Sequence, residues 1–204
     1  MPYFPYGPIE IAHLTDRDLV LGAAIERLGR IEREVQPDLW TALAHSLVSQ
    51  QISNAAAATV WRRLRTQVGD LTPTQLASTS LEALRACGLP QRKAEWLHHI
   101  AQQVISGALD LDSLLTQPDA AVIQTLTALP GVGVWTAEML LIFALGRPDV
   151  VSWGDQAIRR GMQRLYGLEK LGKAQFTGYR DRYRPYGTVA SFYLWALAAT
   201  SSRD

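Results

Sequence analysis

The sequence is poorest in cysteine. Cys87 is its only one, which excludes a disulfide within the chain and any iron–sulfur or zinc site built on four cysteines. A reducing cytoplasm is the compartment that fits this usage. Long apolar runs are missing as well: none reaches the roughly 18 residues that suggest a membrane span. The opening residues, MPYFPYGPIEIAHL, lack a basic segment followed by an apolar one, so no secretory signal is expected. There is no internal repeat, no low-complexity stretch and little alternation of period two. Nor does either sign of charge prevail, since 20 Lys+Arg face 19 Asp+Glu, a net charge of +1.

The charges present are unevenly spread. Residues 1–150 hold 11 Lys+Arg against 15 Asp+Glu, whereas residues 155–184 hold 8 against 3. A local basic face of this kind can meet phosphates; a solvated helix face is the blander reading. The 204 residues suffice for one large domain or two small ones, with a sizeable core.

Apolar residues recur mostly at spacings of three and four, which predicts a nearly all-helical chain. Expected helices cover 15–30, with Thr15 or Asp16 as cap, then 39–48, 52–68, 74–79, 81–86, 92–107, 119–128, 134–145, 156–165, 175–183 and 189–200. The N-terminal tail with its three prolines is expected to be irregular. Trp40 and Trp61 are expected in the core. His45, His98 and His99 have no ligand-like partners, and no metal is expected from them.

Leu129-Pro130-Gly131-Val132-Gly133 lies between two helical patterns. Its glycines permit positive φ and leave backbone N–H groups uncovered, and a helix N-terminus follows at once. That can form a phosphate cradle, or merely a tight helix connection. Asp155 opens a later helix, where a plain N-cap is the common role of such a residue.

The stretch Leu129-Pro130-Gly131-Val132-Gly133-Val134-Trp135-Thr136-Ala137 resembles the signature of the helix-hairpin-helix DNA glycosylase superfamily. The loop Gly146–Gly154 and the following Asp155 are similar to that superfamily's Gly/Pro-rich loop and catalytic aspartate. Within it the chain looks most like the DNA-3-methyladenine glycosylase II family. Ser49-Gln50-Gln51-Ile52-Ser53, Gly88-Leu89-Pro90-Gln91-Arg92-Lys93-Ala94 and Arg184-Pro185-Tyr186-Gly187 add to the likeness, which runs from about Leu39 to Ala198.

The resemblance implies an all-α fold of two helical lobes with a DNA cleft between them. Residues 37–125 would form the lobe with the wedge loop; residues 1–36 and 126–204 would form the lobe with the hairpin and the catalytic aspartate. It implies a base-excision-repair enzyme that flips an alkylated base out of double-stranded DNA and hydrolyses its N-glycosidic bond, with Asp155 as the catalytic carboxylate. Gly131, Gly133 and Val134, with Arg159 and Arg160, would hold phosphate. Trp135, Met139, Trp153 and Trp195 would form the base pocket, and Gln51, or Gln50, would be the wedge. Main-chain carbonyls of Thr127, Leu129 and Val132 would hold a Na⁺ or K⁺ at the hairpin; no other cofactor is implied, and a monomer is expected. Lyase-competent relatives carry lysine where Trp135 stands, so a monofunctional enzyme is implied. Two other readings stay open: a glycosylase for uracil, mismatched thymine or an oxidised purine, and a non-catalytic DNA-binding hairpin module.

Overall fold

A computed structural model describes residues 2–200. Twelve α-helices make up the described chain, and it has no β-sheet; its one isolated bridge joins Tyr3 to Glu34. In order they are α1 (Pro8–Arg17), α2 (Leu19–Leu28), α3 (Leu39–Ser49), α4 (Asn54–Val68), α5 (Pro73–Ser78) and α6 (Leu81–Ala86). There follow α7 (Gln91–Ile105), α8 (Asp119–Thr127), α9 (Val134–Phe143), α10 (Gln156–Leu165), α11 (Lys173–Tyr183) and α12 (Gly187–Ala199), with a single 3₁₀ turn at Ser113–Leu115. No helix is long and apolar enough to cross a membrane, among the described residues.

Most boundaries follow the chemistry of their caps. Ser80 caps α6 by accepting from the Ala83 N–H, and Ser53 caps α4 by accepting from that of Ala56. The N-terminal tail departs from expectation. Pro8 starts a helix, because a proline at the first helical position gives up no internal bond, and Glu10 accepts from the Gly7 N–H at 2.7 Å. What reads as one helix from 15 to 30 is broken at Asp18, whose Oδ1 caps α2 by accepting from Val20 and Leu21.

The chain divides into two compact units, Met1–Val35 with Leu141–Asp204, and Gln36–Leu140. The boundary falls inside α9, so the hairpin belongs with residues 36–140 and not, as the sequence suggested, with Asp155. The reason is local packing: the hairpin turn rests on α7 and on the loop after α3, as described below.

In the Gln36–Leu140 unit, Leu43, Leu47, Leu64, Leu76, Leu84, Leu97 and Ile100 are fully buried. Each such side chain contributes about 1.5–3 kcal/mol by leaving water. Trp40 is buried as expected, its indole N–H donating to the Leu71 carbonyl at 2.7 Å. Trp61 is only half-buried, edge-on to His45, and is not the core residue it was expected to be.

In the other unit α12 is apolar almost all round and is the central helix, burying Val189, Phe192, Tyr193 and Leu194. Helix α10 lies directly on it: a Cβ at Gly161 would sit 2.0 Å from the Leu194 carbonyl oxygen. Asp18 ties the N-terminal helices to this unit. Its Oδ2 accepts from the Tyr166 hydroxyl at 2.7 Å and pairs with Arg182 at 3.2 Å, which offsets the cost of burying a carboxylate.

Candidate functional site

The hairpin is a tight turn set by its sequence. Pro130 and Gly131 occupy the central positions, Gly131 has φ of +81°, and the Val132 N–H donates to the Leu129 carbonyl at 3.2 Å. This is the type II pattern, in which the third residue needs a left-handed backbone. A second constraint forbids a side chain there: a Cβ on Gly131 would lie 2.3 Å from the Trp96 ring. Gly133 differs from expectation. Its φ is not in the left-handed region, and a Cβ there would meet nothing within 4 Å. It is exposed and directly precedes α9. Val134 and Trp135, the next two residues, are 56% and 46% exposed.

The carbonyls at this turn are unevenly used. Pro130 has no N–H to give, and among the described residues the Thr127 and Val132 carbonyls accept no hydrogen bond, while that of Leu129 accepts the turn bond. Oxygens of this kind suit a hard cation.

The same unit carries the Ser49–Ser53 junction between α3 and α4. Gln51 adopts φ of +59°, uncommon for a residue with a Cβ, and is exposed. Gln50 is committed elsewhere: its side-chain amide donates to the Gly131 carbonyl at 2.9 Å. Beneath them Lys93, only 8% exposed, donates to the Val48 carbonyl at 2.9 Å and to that of Gln50. Burial pushes its ammonium below the ordinary lysine range. Arg92 lies over the Trp96 ring at 4.8 Å.

Lys93 and Trp96 are structural partners of the site that sequence reasoning left without a role. For Lys93 a signal existed. It falls on the stripe Lys93, Leu97, Ile100, spaced four and three, which is the buried face of α7.

In the other unit Asp155 caps α10. Its Oδ1 accepts from the Ala157 and Ile158 N–H groups at 2.8 and 2.9 Å, and the residue is 8% exposed. Both backbone donors and the helix N-terminus favour a negative charge here. The cap uses Oδ1 of this carboxylate. The preceding loop is pinned to α12. The Thr188 hydroxyl accepts from the Val150 N–H at 3.0 Å and donates to the Arg147 carbonyl at 2.6 Å, and Ser191 donates to the Val150 carbonyl at 2.9 Å. Asp149 accepts from the Gly187 N–H and pairs with Arg180 and Arg184.

Trp153, two residues before Asp155, meets the edge of Phe176 at 5.1 Å and carries the Arg159 guanidinium over its face at 5.0 Å. Arg159, Arg160, Gln156, Gln163 and Leu171 line an open depression of about 300 Å³. Trp195 stacks between Phe143 and Phe192, with centroids 5.8 and 6.0 Å away. Met139 is half-buried on α9. Asp155, Trp153 and Arg159 are thereby grouped in one unit, and Gln50, Gln51, Thr127, Leu129 and Gly131–Val134 in the other. No cluster of His, Cys, Asp and Glu able to hold a metal occurs among the described residues.

Residues 44–177 match the model of the HhH-GPD superfamily base excision DNA repair proteins. The chain belongs to this family. The match takes in the Gln50-Gln51 junction, the hairpin and Asp155, and ends before Trp195. Among relatives within the family, DNA-3-methyladenine glycosylase 1 of Schizosaccharomyces pombe is 33% identical over 75% of this chain and 69% of its own length. A DNA-3-methyladenine glycosidase from Bacillus halodurans has a crystal structure that superposes with a TM-score of 0.90 at 39% identity, covering 98% of this chain and 94% of that one. The structure of a Schizosaccharomyces pombe 3-methyladenine DNA glycosylase in complex with abasic DNA gives a TM-score of 0.79 at 30% identity, over 92% and 95% of the two chains.

Proposed function

We propose that this protein is a DNA glycosylase of base excision repair that hydrolyses the N-glycosidic bond of alkylated bases. The observation that carries this reading is the buried Asp155 carboxylate, held in place by two backbone N–H groups at the start of α10 in a chain of this family. As the base departs, positive charge builds on the sugar. A fixed carboxylate stabilises that oxocarbenium-like state and orients the attacking water. A base alkylated on a ring nitrogen is already cationic, so it leaves without a general acid, and one carboxylate suffices. Trp135, where lyase-competent relatives have lysine, can form no Schiff base with the sugar, and water is the nucleophile.

The other roles follow from chemistry. The uncovered backbone at Gly131, Gly133 and Val134 binds phosphate without regard to sequence, and Arg159 and Arg160 add charge. The Thr127, Leu129 and Val132 carbonyls would hold a Na⁺ or K⁺ that meets a phosphate oxygen. Trp135, Met139, Trp153 and Trp195 are the candidates for the apolar and electron-rich faces that grip a cationic base. Gln51 is the wedge: it is exposed, whereas Gln50 is tied to the hairpin. The protein acts as a monomer on double-stranded DNA.

Incubation with methylated duplex DNA, followed by cleavage at abasic sites, tests the reading. Strand breaks that need the enzyme and the methylation support it. Breaks only on uracil, mismatched thymine or oxidised purines reassign the lesion, and binding without any break leaves a DNA-binding module.

A further inference from the structure

The Gly88–Ala94 stretch has no part in the chemistry above, yet its helix places two side chains at the site. Lys93 and Trp96 both project from the first turns of α7. Lys93 donates to the carbonyls of Val48 and Gln50, which are the last turn of α3 and the residue just after it. A helix C-terminus leaves carbonyls unsatisfied and favours a cation, so this ammonium caps α3 from outside. It does so directly before Gln51, whose positive φ needs the surrounding structure to hold it. Gln50 then passes the constraint on, its side chain donating to Gly131, whose turn rests on the Trp96 ring.

We infer that Lys93 is a positioning residue for base extrusion: by capping α3 and clamping the Gln50 carbonyl, it holds Gln51 in the left-handed conformation that points it outward as the wedge. This rests on the reading of Gln51 as wedge. Lys93 touches neither the base nor the sugar in this scheme. Its contribution belongs to the step that opens a paired duplex, and it vanishes when the target is already unpaired. A burial role alone would lack that selectivity, because loss of folded protein lowers every activity by one factor.

The test compares single-turnover excision of 7-methylguanine from a fully paired duplex and from a bulge in which the same base is unpaired. Lys93→Met keeps the aliphatic stem and removes the donors. It should excise from the paired duplex at least tenfold more slowly than wild type, and from the bulge within about twofold. Gln51→Ala should show the same selective loss. The double variant should lose no more than Gln51→Ala alone, because coupled residues are not additive. If Lys93→Met does not fold, Lys93→Gln, one bond shorter and unable to reach both carbonyls, is read on the same two substrates with the same expectation.

Equal losses on both substrates, or none, in the lysine variants beside a selective loss in Gln51→Ala would overturn the role of Lys93 and leave the wedge reading intact. An unimpaired Gln51→Ala would overturn the wedge reading and this inference with it. Failure of wild-type protein to release 7-methylguanine from either substrate, while it excises another lesion, would reassign the lesion; the same pair of substrates is then built on that lesion.

Discussion

Trp195 stands between two phenylalanine rings and is still half-exposed, so its two duties can be separated by experiment. Trp195→Ala should slow excision of an alkylated base by about 1–3 kcal/mol, the worth of one stacking interaction, while binding to DNA that already holds an abasic site stays close to wild type. In the proposed reading the flipped base is the one part of the DNA that would meet this ring, and the groups proposed to bind phosphate are other residues. Parallel titrations of the two DNAs with a thermal melt decide the matter. A fall of about 3–5 kcal/mol in stability, with both activities abolished together, would make the residue packing. Asp155 and Lys93 show how legible single residues were. For Asp155 the local sequence is that of any N-cap, and the structure shows that cap; its catalytic assignment comes from its order after the hairpin and the Gly/Pro-rich loop. Lys93 stood in a recognised stretch and yet had no assigned role, since its partners are main-chain carbonyls some 43 and 45 residues away, which no pattern of residue types reveals.

Helices and turns make stricter demands. Gly131→Ala must place a Cβ into the Trp96 ring and hold φ at +81°, and should destabilise the fold by at least about 1–3 kcal/mol. Gly133→Val meets open space. Its stability should stay within about 0.5 kcal/mol of wild type, while binding to all DNA sequences weakens alike, because the backbone there carries no base information. Gly161 pits two effects against each other. Alanine raises helix propensity by about 1 kcal/mol, but its Cβ would sit 2.0 Å from a main-chain oxygen of α12, which cannot step aside as a flexible side chain could. Gly161→Ala should therefore lower the denaturation midpoint despite the better propensity. Urea titrations of the three variants check all of this. Most of the elements were visible as apolar spacing with cap residues, and α6 and α10 lie where the sequence put them. Helix α1 was not, because a proline-rich tail reads as irregular until Pro8 is seen to occupy the one helical position that needs no N–H.

At the scale of the whole molecule, charge and nucleophile chemistry make the predictions. The net charge is only +1, so DNA binding rests on local groups, and the logarithm of affinity should fall linearly with that of salt by about 0.9 per phosphate neutralised. Arg159→Ala with Arg160→Ala should flatten this slope by roughly one for each phosphate that is no longer neutralised. Borohydride added during turnover should trap no protein–DNA adduct. The chain has three lysines: Lys93 is bound to two carbonyls, and Lys170 and Lys173 are exposed, before and at the start of α11. A trapped species that disappears on mutating one of them would replace water with an amine nucleophile. The hairpin's place in the Gln36–Leu140 unit was not legible in the sequence, since it depends on Trp96 and Gln50 packing that sequence order conceals. The most direct measurement concerns the carboxylate itself. Asp155→Asn keeps the shape of the side chain and removes its charge. Under single-turnover conditions on methylated DNA it should bind with nearly wild-type affinity and excise at least about 100-fold more slowly; excision at a near-normal rate by this variant would contradict the assignment of Asp155.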